Sequence, residues 1–163
     1  MPSVIIIAPC HFILRGDDGA DNSIISIIEG VKVSLQPGSP PPPPGTIIPF
    51  PWRTFVCWKQ EADDAADSEI EHRLIMKSPD GRLIMEAAPQ KVRFDTRMVN
   101  VLHHFKNFPV WAHGICPVIA QYRKGDDQAW SDAASFPLLI EHEIQTQTQR
   151  PPTEKNNVVW HKE

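Results

Sequence analysis

The 163-residue sequence predicts an all-β chain, read as an antiparallel β-sandwich of about eight strands with an immunoglobulin- or C2-like layout. Three observations predict it. Short β-branched and apolar runs alternate with period two. Clusters of Gly, Pro, Asp and Asn separate them. Nowhere does an apolar stripe at helical spacing persist for three capped turns.

The first strand is expected at residues 4–14 and the second at 24–35, joined by RGDDGADN, which has the composition of a hairpin loop. A long connection containing SPPPPPG then leads to a third strand at 54–60. The fourth, 69–77, alternates most clearly: Ile70, His72, Leu74 and Met76 share one face and Glu69, Glu71, Arg73 and Lys77 the other. SPDG at 78–81 places Pro second in a turn and Gly at its end, folding the chain back into a fifth strand at 83–87. A sixth at 99–105 precedes KNFPVWAHG. The seventh, 115–123, sets Cys116, Val118, Ala120 and Tyr122 on one side, and 136–143 closes the series. Short helices would fit only at 96–104 or 126–134. The folded domain is expected to span 1–144, and the polar, breaker-rich residues 145–163 read as a mobile tail, with Val158, Val159 and Trp160 available to dock.

This layout, with its "IISIIEGVKV" strand, Pro-rich crossover, Pro-Asp-Gly turn and "MVNVLHHF…FP…HG" segment, resembles a bacterial family of small β-sandwich domains of unknown function. In such domains the turn often reads Asp-Pro-Asp-Gly, and here Ser78 replaces the first Asp. The resemblance spans roughly residues 4–143 and implies a fold and a bacterial source, with no known active site.

Composition narrows the function classes. A formal charge of −4, from 16 Lys and Arg against 20 Asp and Glu, lacks the basic excess that nucleic acid demands. The start, MPSVIIIAPCHFIL, has no basic n-region, and its apolar run is far shorter than a membrane span, so a cytoplasmic protein is expected. Cys10, Cys57 and Cys116 are odd in number and lack a CxxC pair, which fits reduced thiols and no structural zinc. An immunoglobulin-type bridge from Cys57 to Cys116 would come with a Tyr two residues before the second Cys, where this chain has Gly114.

If consecutive strands alternate in direction, their connections sort to two poles. One would collect the acidic connections, with Asp17, Asp18, Asp63, Asp64, Asp126 and Asp127. The other would gather Phe50, Trp52, Phe108 and Trp111 with the Pro-rich connections. Rings and prolines lose little entropy on docking, so the ring-bearing pole is the expected contact surface for a protein partner or for self-association. A proline ridge is also a ligand for SH3-type readers, but a stiff crossing between sheets is the commoner use of such a run. The six Asp residues offer oxygens to calcium as an alternative, although GDDGAD and ADDAAD lack the DxDxDG spacing of a calcium loop. Trp52 and Trp58 share a strand face and offer a second alternative, a carbohydrate platform. His103 and His104 point to opposite faces and cannot ligate one metal together, and His72 and His142 read as sheet histidines. With no GxSxG motif and no cysteine-nucleophile signature, a non-enzymatic module without cofactor is expected.

Overall fold

The computed structural model describes residues 1–15, 22–62, 68–125 and 128–145. These form twelve strands and no helix. In chain order they are β1 (Ser3–Arg15), β2 (Asn22–Ile27), β3 (Gly30–Leu35), β4 (Ile47–Ile48), β5 (Trp52–Lys59), β6 (Glu69–Lys77), β7 (Leu83–Glu86), β8 (Gln90–Arg93), β9 (Met98–Phe105), β10 (Phe108–Pro109), β11 (Gly114–Arg123) and β12 (Ser131–Ile144). One sheet has the order β2-β1-β5-β9, another β3-β12-β11-β6-β7 with β8 also on β6, and β10 pairs with β4 by itself. All pairings are antiparallel except β12 with β3. The expected tail from residue 146 onward lies outside the described residues.

Alternation places the core as expected on two strands. Ile70, His72, Leu74 and Met76 of β6 and Cys116, Val118, Ala120 and Tyr122 of β11 all turn inward and are buried. They meet Val56, Trp58 and Val101 from the other large sheet in one apolar cluster, completed by Leu138 and Ile140 of β12. The SPDG turn forms as read: Gly81 N–H donates to Ser78 O at 2.9 Å with Gly81 at φ 84°, and β6 folds back on β7. β8 escaped notice because QKVR carries no alternation. It exists because β7 covers only one end of β6's edge and β8 fills the rest. Both places where a helix would fit contain strand, since residues there pair along β9 and β12.

The second expected strand is two strands in different sheets. β2 stays on β1, whereas β3 joins β12. Ser26 stands in the left-handed region at φ 57° and bends the chain. Ile28 N–H then donates to Pro9 O at 2.8 Å in one sheet, and Glu29 O accepts from Leu139 N–H at 2.9 Å in the other. Strands that change sheets at such corners tie two layers together. The extra element resets the expected polarity. Arg15 pairs with Asn22 at the finish of β1 and Ser3 with Lys59 at its start, so connections 16–21 and 60–68 leave from opposite ends of β1. The carboxylates that were to mark the acidic pole, Asp17, Asp18, Asp63, Asp64, Asp126 and Asp127, lie outside the described residues. The Pro-rich connection runs from β3 in one large sheet to β5 in the other, bracketed by hydrogen bonds from Ser39 N–H to Gln36 O (3.0 Å) and Thr46 N–H to Pro43 O (3.1 Å).

At the corner, a Cβ on Gly30 would lie 2.9 Å from the Leu139 carbonyl oxygen, backbone that cannot give way. Gly30→Ala is expected to cost about 1–3 kcal/mol, read as a lower urea midpoint with unchanged slope.

Candidate functional site

The Pro-rich and aromatic connections do converge. Ile48 pairs with Phe108 and Ile47 with Pro109. Pro79 of the SPDG turn approaches Gly114, where an added Cβ would lie 3.1 Å from its Cγ. Their rings, however, pack on one another. Trp52, 1% exposed, stacks on Phe105 at 4.5 Å between centroids and meets the edge of Phe108 at 5.4 Å. Its Nε1–H donates to Asn107 O at 3.0 Å. Phe108 is fully buried, Phe50 sits half-buried against it, and Trp111 lies apart beneath the Arg82 guanidinium at 5.3 Å. The four rings thus make no common exposed patch: a large ring gains more by leaving water than a loop end can offer it. The Trp52 and Trp58 carbohydrate platform fails for the same reason, since both rings face the core and Trp58 is 0% exposed.

An open cleft of about 490 Å³ does occupy this end of the β2-β1-β5-β9 sheet. β1 runs past the start of β5, because Cys10 pairs with Arg53 and β1 continues to Arg15. In the notch beside this overhang lie Phe12, Phe50, Trp52 and Phe105, with Arg53, Lys106, His11 and His104 among them. Among the described residues no carboxylate lines the cleft. Arg53 donates from Nε to His104 Nδ1 at 3.2 Å and from Nη1 to His11 O at 3.4 Å, and its guanidinium lies 5.9 Å from the Phe12 ring centroid. His104 Nδ1, as acceptor, carries no proton, which leaves its Nε2–H as the outward donor.

The outer faces of the two large sheets differ in kind. On the β6-β11-β12 side, Arg123 pairs with Glu71, Arg73 with Glu86 and with Gln121, and Gln121 with Asp132, while both guanidinium groups cover Trp130 at 4.2 and 4.7 Å. That is a charged lattice suited to water. On the other sheet, the even-numbered residues of β1 (Ile6, Ala8, Cys10, Phe12 and Leu14) share their face with Ile25, Ile27, Phe55 and Cys57. Phe12, Leu14 and Ile27 are 58%, 59% and 52% exposed. Period-two alternation predicted this row as half of a strand, but it did not say that Arg53, the register partner of Cys10, and Ser23, that of Leu14, would be the polar residues at its borders.

The interior holds a polar chain. His72 Nδ1 lies 3.2 Å from Gln121 O, a carbonyl that only accepts, so this nitrogen carries the proton and His72 Nε2 accepts. His103 Nε2–H therefore donates to it at 2.9 Å, and His103 Nδ1 accepts from Gln90 Nε2 at 3.4 Å. Both rings are neutral: burial first, and second the repulsion that a neighbouring histidine would exert if both were charged, lower His72 to about 3 and His103 to about 4. Thr54 Oγ1 and Trp58 Nε1, close by in β5, are buried without a hydrogen-bond partner. His142 lies at the sheet margin and its Nε2–H donates to Val110 O at 2.7 Å. All three cysteines are free and buried, and burial raises each thiol, Cys116 to about 11, which keeps them protonated at neutral pH. Among the described residues no cluster of three or more His, Cys, Asp or Glu would hold a metal. Asp17, Asp18, Asp63, Asp64, Asp126 and Asp127, the calcium alternative, lie outside the described residues. Among those described, no helix is long and apolar enough to cross a membrane. No protein-family model matches this chain, and no curated protein shows significant similarity to it.

Three outcomes test the interior. Because folding holds both histidines below their ordinary value near 6.5, the unfolded chain binds protons that the folded one refuses. Stability is full above about pH 6.5 and falls toward pH 4, by at most about 3 kcal/mol per pH unit for two protons, in urea melts across pH. His103→Leu leaves His72 Nε2 without its donor, which is expected to cost about 1–3 kcal/mol at pH 7 and to halve that acid slope. Thr54→Val, which removes an orphaned hydroxyl, is expected to be neutral or stabilising by about 1 kcal/mol.

Proposed function

We propose that this chain is a non-enzymatic interaction module that docks through the outer face of the β2-β1-β5-β9 sheet, with a second copy of itself as first partner. One observation carries the reading. Phe12, Leu14, Ile25 and Ile27 form an exposed apolar row on a single face, while the opposite sheet clothes its own outer face in ion pairs. Contiguous exposed apolar surface on a folded domain marks contact sites. The row ends on β2, which pairs only with β1 among the described strands and whose outer edge suits pairing with another β2 across a twofold axis. The finer architecture, a sandwich of the immunoglobulin kind, is part of the same proposal. Its support is the apolar cluster shared by both large sheets and the corner that links them. The expected contact through Phe50, Trp52, Phe108 and Trp111 moves to this face because two of those rings are interior.

Sedimentation of the purified chain over a concentration series is expected to show a monomer–dimer equilibrium. Ile25→Lys, which puts a charge opposite Phe12 in the middle of the row, is expected to weaken it by at least about tenfold without lowering the melting temperature. A wild-type chain that stays monomeric at every soluble concentration, or a variant that dimerises equally well, sinks the self-association reading.

A further inference from the structure

We infer that the cleft beside the β1 overhang is a binding site for a small aromatic carboxylate. The inference goes beyond the sheet-face reading: the two share the Phe12 ring, and the cleft adds Arg53, Lys106, Phe50 and Phe105, which the row does not use. Its volume of about 490 Å³ falls in the range that holds a single small molecule. The walls have two chemistries. Phe12, Phe50 and Phe105 supply ring faces and edges for a planar apolar body, and Arg53 and Lys106 supply positive charge with no carboxylate among the lining residues to satisfy it.

Arg53 decides the ligand's charge. A half-buried guanidinium is ordinarily matched by a carboxylate, because five N–H donors leaving water need acceptors. Here its protein partners are two neutral acceptors, His104 Nδ1 and His11 O, and among the described residues no acidic group lies within ion-pair distance of it. Nη2 makes no hydrogen bond among the described residues. A carboxylate approaching Nη1 and Nη2 would take the fork geometry that guanidinium recognises best. The Phe12 ring, 5.9 Å from the guanidinium carbon, would flank the ligand's ring on the same side. Arg53 is the cation inside the cleft and Lys106 stands exposed at its rim, so one carboxylate satisfies the guanidinium while the ammonium adds attraction from outside. The lining has no helix whose N-terminus would add donors for a phosphate ester.

The test is a nitrogen-edited NMR titration of the full chain with three isosteric probes: phenylacetate, 2-phenylethanol and 2-phenylethylamine. Phenylacetate is expected to bind saturably, shifting the Arg53 Nε–H resonance and the amides of Phe105 and Lys106. The alcohol should bind at least about tenfold more weakly and the amine should produce no saturable shift. Arg53→Gln is expected to weaken phenylacetate binding by about tenfold or more, and Lys106→Gln, at the exposed rim, by severalfold. Arg82→Gln, beside Trp111, should leave binding unchanged. The Lys106 variant keeps the test decisive should Arg53→Gln fold poorly. Equal binding of all three probes, indifference to both cleft variants, or no saturable shift with phenylacetate overturns the inference.

Discussion

The structure depends on one stretch of backbone belonging to two sheets at once. At Ile28 and Glu29 the chain donates into the first sheet through Pro9 and accepts from the second through Leu139, within two consecutive residues. A hydrogen bond in each direction leaves neither sheet able to slide without breaking a pairing. The close approach at Gly30 is the steric counterpart of that bond. From this corner follow the parallel seating of β3 on β12, the Pro-rich return to β5, and the overhang of β1 that opens the cleft.

Inside the layers, the histidine pair does the work that an apolar pair would do more simply. His72 comes from β6 and His103 from β9, so their bond spans the two large sheets, and its direction is dictated by the carbonyl of Gln121 at one end and the amide of Gln90 at the other. Such a chain has a single satisfied protonation pattern, which makes it a register pin as much as a source of energy. Trp58, edge-on to His72 at 5.4 Å, seals it from solvent.

Outside the layers, the two faces divide the molecule's dealings with water. One is a lattice of Arg, Glu, Gln and Trp that holds its own charges in place, and the other is an apolar row flanked by a cationic, ring-lined cleft. The Arg53 guanidinium marks the boundary between them. It bonds to ring nitrogen and backbone oxygen where Arg73 and Arg123 have found carboxylates.

By itself the sequence determined the all-β character, the faces of β6 and β11 and the SPDG hairpin, because each depends on neighbours within a few residues: period-two alternation and turn chemistry are local. The aromatic residues were legible as a cluster, since alternating strand direction sends the connections that carry them to one pole. Whether their rings faced water was not, because Trp52 and Phe108 are buried by Phe105 and Phe50, and ring-on-ring packing is set by how connections fold over one another. Arg53 gave no signal in the chain. Its neighbours in sequence are Trp52 and Thr54, and the His11, Phe12 and His104 that define its surroundings arrive from β1 and β9. Tertiary structure alone decided where β2 ended and β3 began, since a continuous alternating run holds no mark of the point at which its two halves take different partners.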